Sequence, residues 1–310
     1  MTLRVEHVGP MALVVDGGRS GVRHLGVTQG GALDWVALGW ANWLLGNAVD
    51  AAGIEIMVGG LTLVAEADTT LALAGADLQA KVDGMVIQPG QHFVLRKGQK
   101  LAFERPAKGL RTYLALPGGI QADAVMGSVS STLREGLGGL DGQGKPLVVG
   151  DVLRPRAQMA QGQRKTPEAA MTSSLPVTGE PLRLGLVPGA QMAAFSGTSL
   201  FKVFHSTWHL DQRADRMGMR LVGPELSCSL KGIISEGIPL GAVQVPPDGQ
   251  PIILMNDRQT IGGYPRLGAL TPASCARLAQ CMPGQPIQLQ VITPERARRE
   301  YLAQLALWSR

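Results

Sequence analysis

The chain has 310 residues, 45% of them hydrophobic and only 17% charged, which sets a prior of about two domains, leaves ample length for a buried core and excludes a disordered polymer. Its 29 basic and 24 acidic side chains give a net charge of +5, yet the basic residues gather only in short clusters such as Arg154/Arg156, Arg164/Lys165 and Arg296/Arg298/Arg299, and aromatics make up 4%, so the footprint of a nucleic-acid binder is missing. Three cysteines, Cys228, Cys275 and Cys281, have no C-x-x-C spacing, which argues against a disulfide framework and for a reducing compartment. The opening MTLRVEHVGPMALVV lacks the pattern of a secretory leader, and no apolar run reaches the roughly 18 residues of a membrane span. The expected location is cytoplasmic, with no membrane association.

Along the chain, 41 glycines and 20 prolines predict many turns joining short strands. Helices are few. From Ala32 to Leu45 the positions Trp35, Leu38, Ala41 and Leu45 form one stripe of period 3.6, and Gly46-Asn47 follows as a stop signal. Short apolar runs at Leu61–Val64, Thr70–Ala74, Phe93–Leu95, Leu101–Phe103 and Tyr113–Leu116 predict strands. The glycine-rich run 136–144, GLGGLDGQG, reads as a tight turn rather than a phosphate cradle, because no helix start follows it. Residues 155–181 hold four prolines and no sustained hydrophobic period, the mark of an irregular connection.

Beyond that connection, Leu182–Leu186, Phe201–Phe204, Ala242–Val245, Pro251–Met255 and Ile287–Val291 predict further strands. PPDG between two apolar arms makes 242–255 a hairpin, with Asp248-Gly249 at its turn. Thr271-Pro272 starts a short helix to about Cys281, and Thr293-Pro294-Glu295 starts another to about Trp308. Gly98–Phe103 and Gly284–Leu289 share the pattern G-Q-x-apolar-x-apolar, a faint echo between the two halves. The expected architecture is mainly β. It comprises an N-terminal β-barrel subdomain at 1–155, an irregular linker at 156–181, and a C-terminal β-barrel subdomain with a terminal helix at 182–310, carrying a few short covering helices.

Common site types are absent. The chain contains no GxxxxGK[ST] and no GxSxG, and lacks the Met-Lys-Met of a biotin carrier. His205 and His209 in HSTWH have the spacing of a zinc pair but lack the intervening Glu, and the surrounding FKVFHSTWHL reads as strand, so no metal site is expected. Polar residues instead concentrate in three segments: 16–34 with Arg19, Arg23, Gln29 and Asp34; 211–220 with Arg213, Asp215, Arg216 and Arg220; and 235–265 with Glu236, Gln244, Asn256, Asp257, Arg258, Gln259 and Thr260. Gln244 lies between two valines and faces opposite to them. Buried unpaired polar groups cost about 1–3 kcal/mol each, so groups placed inside a barrel call for partners or a ligand. Arginine forks suit carboxylate or phosphate, and Gly262-Gly263 allows close backbone approach. The third segment thus reads as the rim of a small-anion site, while Asp–Arg neighbours such as Asp215–Arg216 fit simple ion pairs equally well.

These segments also carry a family resemblance spread over nearly the whole chain. It includes DGGRSGVRHLGV at 16–27, GALDWVALGWANWLLGN at 31–47, GLRTYLALPGGI at 109–120, GSVSST at 127–132, DRMGMRLVGPEL at 215–226, SEGIPLGAVQVPPDGQPIILMNDRQTIGGYP at 235–265 and LAQCMPGQPI at 278–287. The chain resembles the allophanate hydrolase subunit 2, or biotin-dependent carboxyltransferase, family, and its length is similar to that of stand-alone bacterial members acting as the C subunit of an ATP-dependent 5-oxoprolinase. The resemblance implies two cyclophilin-like β-barrel subdomains. It implies hydrolysis of 5-oxoproline (pyroglutamate) to glutamate with ATP bound in the complex, direct association with the B subunit, and a further A subunit. The family also implies an alternative, a carboxyltransferase component of urea or allophanate type taking carboxybiotin from a separate carrier, with biotin involved only in that case. A third alternative is a non-catalytic regulatory partner. Two departures from the family pattern stand out: Val14-Val15-Asp16 lacks a Gln, and Val129 replaces an Arg in GSVSST.

On this reading Arg216 or Arg258 holds the substrate carboxylate. Gln244, Gln259 or Thr260 polarises the ring amide, Gly262, Gly263 and Tyr264 complete the pocket, and Asp257 or Glu236 accepts a proton. Asp16, Arg19, Asp34 and Asn42 form a second candidate site.

Overall fold

The computed structural model describes residues 2–158, 175–177 and 179–309, so most of the expected linker lies outside the described residues. The chain divides into two compact units, one of Met1–Ser20 with Gly30–Leu175 and the other of Gly21–Gln29 with Pro176–Arg310. A boundary drawn between the two halves of the sequence does not capture this division, because residues 21–29 sort with the second unit.

The first unit contains β1 (Leu3–His7), β2 (Met11–Val15), α1 (Trp35–Leu44), β3 (Gly53–Met57), β4 (Thr62–Ala65), β5 (Thr69–Asp77), β6 (Lys81–Val82), β7 (Met85–Val86), β8 (Gln91–Leu95), β9 (Lys100–Ala102), β10 (Lys108–Ala115) and β11 (Val152–Leu153). Among the described residues these form one sheet of order β11-β1-β4-β9-β6-β7 and another of order β2-β3-β10-β5-β8. Their pairings are antiparallel. Alternation along the strands places Leu3 and Val5, Ala12 and Val14, Ile54 and Ile56, and Leu71 and Leu73 in one hydrophobic core shared by both sheets.

The opposite face of the five-stranded sheet packs under α1 and carries a buried polar ladder in which Leu13 faces Glu55 and Glu55 faces Tyr113. Tyr113 Oη donates to Glu55 Oε2 at 2.7 Å and accepts from Asp34 N at 2.8 Å. Leu33 N donates to the same carboxylate at 3.0 Å, and Arg111 Nε lies 3.6 Å from its other oxygen. Asp34 caps α1 by accepting from Ala37 N at 2.9 Å. The cluster fastens the start of the helix to the sheet.

The second unit contains β12 (Leu182–Pro188), α2 (Gly197–His205), β13 (Trp208–Leu210), β14 (Gly218–Val222), β15 (Glu236–Gly237), β16 (Ala242–Gln244), β17 (Ile252–Leu254), β18 (Ile261–Gly262), β19 (Arg266–Leu270), α3 (Pro272–Leu278), β20 (Pro286–Val291) and α4 (Pro294–Trp308). Seven strands close a barrel in the order β12-β19-β16-β17-β14-β13-β20, sealed by parallel pairing of β12 with β20. β15 and β18 pair as a separate ribbon. The predicted hairpin is β16–β17, with Gly249 at φ +70° and its N–H donating to Pro246 O. Both Thr-Pro starts cap helices, Thr271 accepting from Ser274 N and Thr293 from Arg296 N. The chain is mainly β with a few short helices, as expected.

One predicted strand is a helix. Phe201–Phe204 lies within α2, where Ser196 caps the N-terminus by accepting from Ser199 N at 3.2 Å. Ser199 and Val203 are buried four residues apart while Phe201 is 62% exposed, the burial period of a helix rather than a strand. His205 therefore ends a helix and His209 sits on β13. No helix among the described residues is long and apolar enough to cross a membrane.

Candidate functional site

Polar residues of the second unit converge just beyond the end of β17. There the backbone stays paired with the segment before β14, Met255 N donating to Met217 O and Asp257 N to Arg216 O, each at 2.9 Å. That register sets the Arg216 and Asp257 side chains together. Arg216 Nε meets Asp257 Oδ2 at 2.8 Å and Nη2 meets Oδ1 at 3.1 Å, with both side chains 6% exposed. This buried two-point pair anchors the loop that presents Arg258, Gln259 and Thr260. Arg216 and Asp257, expected as substrate anchor and proton acceptor, thus bind each other.

Arg258 is 2% exposed and meets only neutral acceptors. Its Nε donates to Ile238 O at 3.1 Å, Nη1 to Met255 O at 3.2 Å, and Nη2 to Gln29 Oε1 at 3.4 Å. A second guanidinium lies beside it. Arg23 opens a short 3-10 turn, Arg23–Leu25, that ends at Gly26 with φ +79°. Its Nη2 donates to Ile238 O at 2.8 Å, Thr260 O at 3.1 Å and Gln259 O at 3.2 Å, whereas its Nη1 is buried without a hydrogen-bond partner. Thr28 Oγ1 closes the arrangement by donating to Arg258 O at 2.6 Å. The two arginines share the carbonyl of Ile238, and neither pairs with a carboxylate. Burial first, and then the charge of Arg23, push the Arg258 guanidinium down to about 10, and burial lowers Arg23 as well. Both remain cationic at neutral pH.

Gln244 lies against the same ribbon. It is 2% exposed, and its Nε2 is buried without a partner. A Cβ at Gly262 would stand 2.9 Å from that nitrogen and 2.5 Å from Ile238 Cδ1, so only glycine leaves room for the amide to lie there. Two orphaned donors, Arg23 Nη1 and Gln244 Nε2, therefore flank the stretch where Ile238 meets Thr260–Gly262.

The remaining expected site residues are placed differently. Gln259 and Thr260 contribute through their backbone carbonyls. Glu236 accepts from Gln191 Nε2 and pairs with Arg266 Nη2, both at 2.6 Å, on the wall of a cavity of about 270 Å³ that Pro188 and Pro239 also line. Gly263 O accepts from Ile233 N, and Tyr264 is exposed. Arg23, Thr28 and Gln29 were legible only as part of a separate polar segment. No local signal ties them to residues some two hundred positions later.

In the first unit the second candidate site divides. Asp16 Oδ1 accepts from Gly18 N at 2.8 Å and from Ser128 Oγ and Ser130 Oγ at 2.6 Å, while its Oδ2 accepts from Val129 N at 2.8 Å. Arg19 joins it by donating to Ser130 O at 2.8 Å and Val125 O at 3.1 Å. Both residues grip the 125–130 loop, and Asp16 lines a cavity of about 370 Å³ together with Asp50 and Arg156. Val129 buries its side chain in the hydrophobic core. Asp34 and Asn42 lie instead at the start and within α1, where Asn42 Nδ2 donates to Ala51 O at 2.8 Å.

The sequence matches the carboxyltransferase domain family with subdomains A and B over residues 25–291. It is 39% identical to the C subunit of 5-oxoprolinase from Escherichia coli, covering 98% of this chain and 97% of that protein. It is 34% identical to the C subunit of 5-oxoprolinase from Haemophilus influenzae, covering 93% and 90%. Among solved structures, TTHA0988 is similar with a TM-score of 0.82 at 36% identity, and this chain covers 55% of its length. The Kluyveromyces lactis urea amidolyase shares the fold with a TM-score of 0.91 at 23% identity over 99% of this chain and 20% of that one.

Proposed function

The chain belongs to the carboxyltransferase domain family with subdomains A and B, and from that premise we propose that it is the C subunit of an ATP-dependent 5-oxoprolinase, working with the B and A subunits to hydrolyse 5-oxoproline to glutamate. The observation that carries this reading is end-to-end similarity to two proteins named as the C subunit of 5-oxoprolinase, at 39% and 34% identity. The second unit adds a chemical reason. Arg258 is a buried cation with no counter-charge among its partners, the state expected of a residue that awaits an anionic reactant. Of the two arginines expected at that reactant, Arg258 is therefore the one open to an anion, carboxylate or phosphoryl. Arg216 is bound to Asp257 and holds the loop in place.

Gln244 Nε2 is a buried donor without a partner, and such preorganised donors stabilise negative charge on a bound reactant. ATP enters through the complex. The glycine-rich run 136–144 is a turn whose glycines have positive φ and which bridges to itself between Gly138 and Gln143, so we assign ATP binding to the assembly rather than to that loop. A second reading, a carboxyltransferase component supplied with carboxybiotin by a separate carrier, draws support from the family itself and from the shared fold of urea amidolyase. A regulatory partner would form the complex without supporting turnover.

One reconstitution separates the three. This chain is mixed with the A and B subunits of its host, ATP and 5-oxoproline, and glutamate is followed. Glutamate that requires this chain and is unaffected by avidin supports the oxoprolinase reading. Inhibition by avidin moves the assignment to the carboxyltransferase. A stable complex that yields no glutamate removes the oxoprolinase reading.

A further inference from the structure

We propose that Arg23 and Arg258, together with the Gln244 amide, form a site for a doubly charged oxyanion, a phosphoryl group in preference to a carboxylate. The site itself stands on the geometry. Only the identity of the physiological ligand rests on the oxoprolinase reading.

Three observations carry it. Arg23 and Arg258 both donate to Ile238 O, so two positive charges lie side by side, and their hydrogen-bond partners are backbone carbonyls and the Gln29 amide, all neutral. Like charges at that spacing disfavour each other, and burial adds to the cost, so the arrangement is relieved by an anion that answers both cations. A single carboxylate neutralises one of them, and a phosphoryl dianion neutralises two. Next, Arg23 Nη1 and Gln244 Nε2 are buried N–H donors with no acceptor, and buried donors are rarely left unmet unless something else supplies the acceptor. A tetrahedral oxyanion has enough acceptor oxygens for both and for a guanidinium edge of Arg258. Finally, the Gln244 amide packs against the ribbon at Gly262, where a Cβ would stand 2.9 Å from its Nε2, and Gln29, half-buried, holds Arg258 by one long contact of 3.4 Å that an anion can replace.

The second arginine is delivered by residues 21–29, which belong to the same unit as 238–262 although far away in sequence. The Thr28 hydroxyl, bonded to Arg258 O, ties that segment in place. Arg23 therefore reaches the ribbon on a fixed turn rather than on a free loop.

Calorimetric titration of the full-length chain at low ionic strength tests the proposal, with inorganic phosphate, acetate and 5-oxoproline as separate probes. We expect phosphate to bind at least tenfold more tightly than either monocarboxylate. Arg23→Gln should weaken phosphate at least tenfold, and Arg23→Lys should retain part of the affinity because it keeps the charge but loses the fork. Gln244→Leu is the control for folding. It removes a donor that is unpaired in the free protein, so the melting temperature should hold or rise while phosphate affinity falls several-fold. Displacement of phosphate by ATP but not by 5-oxoproline would identify the nucleotide as the source of the phosphoryl group, and displacement by neither would point to free phosphate or a phosphorylated reactant. Phosphate binding no tighter than acetate overturns the proposal. So does wild-type phosphate affinity in both Arg23→Gln and Gln244→Leu. Because binding is read on this chain alone, absence of glutamate in the reconstituted complex would count against the oxoprolinase reading and leave the oxyanion site standing. Unchanged turnover by an Arg23→Gln complex would remove the site from catalysis and leave that reading intact.

Discussion

Removing one partner of the Arg216–Asp257 pair tests whether it braces the loop or performs chemistry. Both side chains are 6% exposed and meet at 2.8 and 3.1 Å. Arg216→Met leaves the Asp257 carboxylate buried without its counter-charge, and Asp257→Asn does the same to the guanidinium. Breaking a buried pair from one side costs about 3–5 kcal/mol, whereas replacing both partners with apolar groups of similar size is often neutral or stabilising. Against a total stability of about 5–15 kcal/mol, either single change should strongly destabilise the second unit. The double variant Arg216→Met/Asp257→Leu should recover most of that loss, which corresponds to a coupling of at least about 2 kcal/mol. Urea unfolding followed by tryptophan fluorescence reads the effect, because Trp208 is fully buried in the barrel, and the transition of the first unit serves as an internal reference. Single variants within about 1 kcal/mol of wild type, or a double variant worse than either single, would refute the bracing role. Retained turnover by the double variant in the reconstituted complex would further show that Asp257 is not the proton acceptor.

Three other outcomes follow from the geometry. Burial first, then the charges of Glu55 and Asp34, hold the Tyr113 hydroxyl well above its ordinary value of 10.0; because the folded state keeps this proton longer than the unfolded one, stability should fall as pH rises above about 10, and absorbance titration should find Tyr113 ionising only as the protein unfolds. Burial pushes the Cys275 thiol up to about 12, and Cys281 is buried as well, whereas Cys228 is partly exposed, so a thiol reagent near pH 8 should find one cysteine in the native protein and three in denaturant. Gly59→Ala should destabilise the first unit by at least about 2 kcal/mol in urea unfolding, because the glycine sits at φ +86° and a Cβ there would lie 1.9 Å from Glu104 O.

The parts of the fold that were legible in the sequence are those set by short-range rules. The stripe ending at Gly46-Asn47 gives α1, and the two Thr-Pro pairs give α3 and α4, because a cap needs only a side chain and a backbone N–H three residues away. The echoed G-Q patterns proved to be the same local device, since Gly98 and Gly284 both have positive φ just before β9 and β20. Short-range reading failed at Phe201–Phe204, where four residues alternate like a strand while the helix signal, the Ser196 cap, lies further upstream. It also missed two-residue strands such as β6, β7 and β11. Their composition is unremarkable: β6 and β11 exist because β9 and β1 present an edge to them, and β7 completes a short hairpin with β6.

At the candidate site, residue type was legible but pairing was not. Arg216 and Arg258 both sit in polar segments with acidic neighbours, and the sequence offers no ground for treating them differently. The structure separates them by their counter-charges. In the second segment Arg213 pairs with Asp211, Arg216 with Asp257 and Arg220 with Asp248, so each of those arginines is answered within the protein. Arg258 follows Asp257 immediately, yet that carboxylate turns to Arg216 and leaves Arg258 among carbonyls. Arg19 and Arg23 diverge in the same way within one glycine-rich stretch, Arg19 fastening the 125–130 loop of the first unit and Arg23 entering the second. An arginine paired with a carboxylate has its electrostatic requirement met by the fold, and its removal is chiefly a stability effect. Two arginines that share one carbonyl and have no carboxylate leave the fold with charge it does not balance, and that imbalance is what a bound anion would correct.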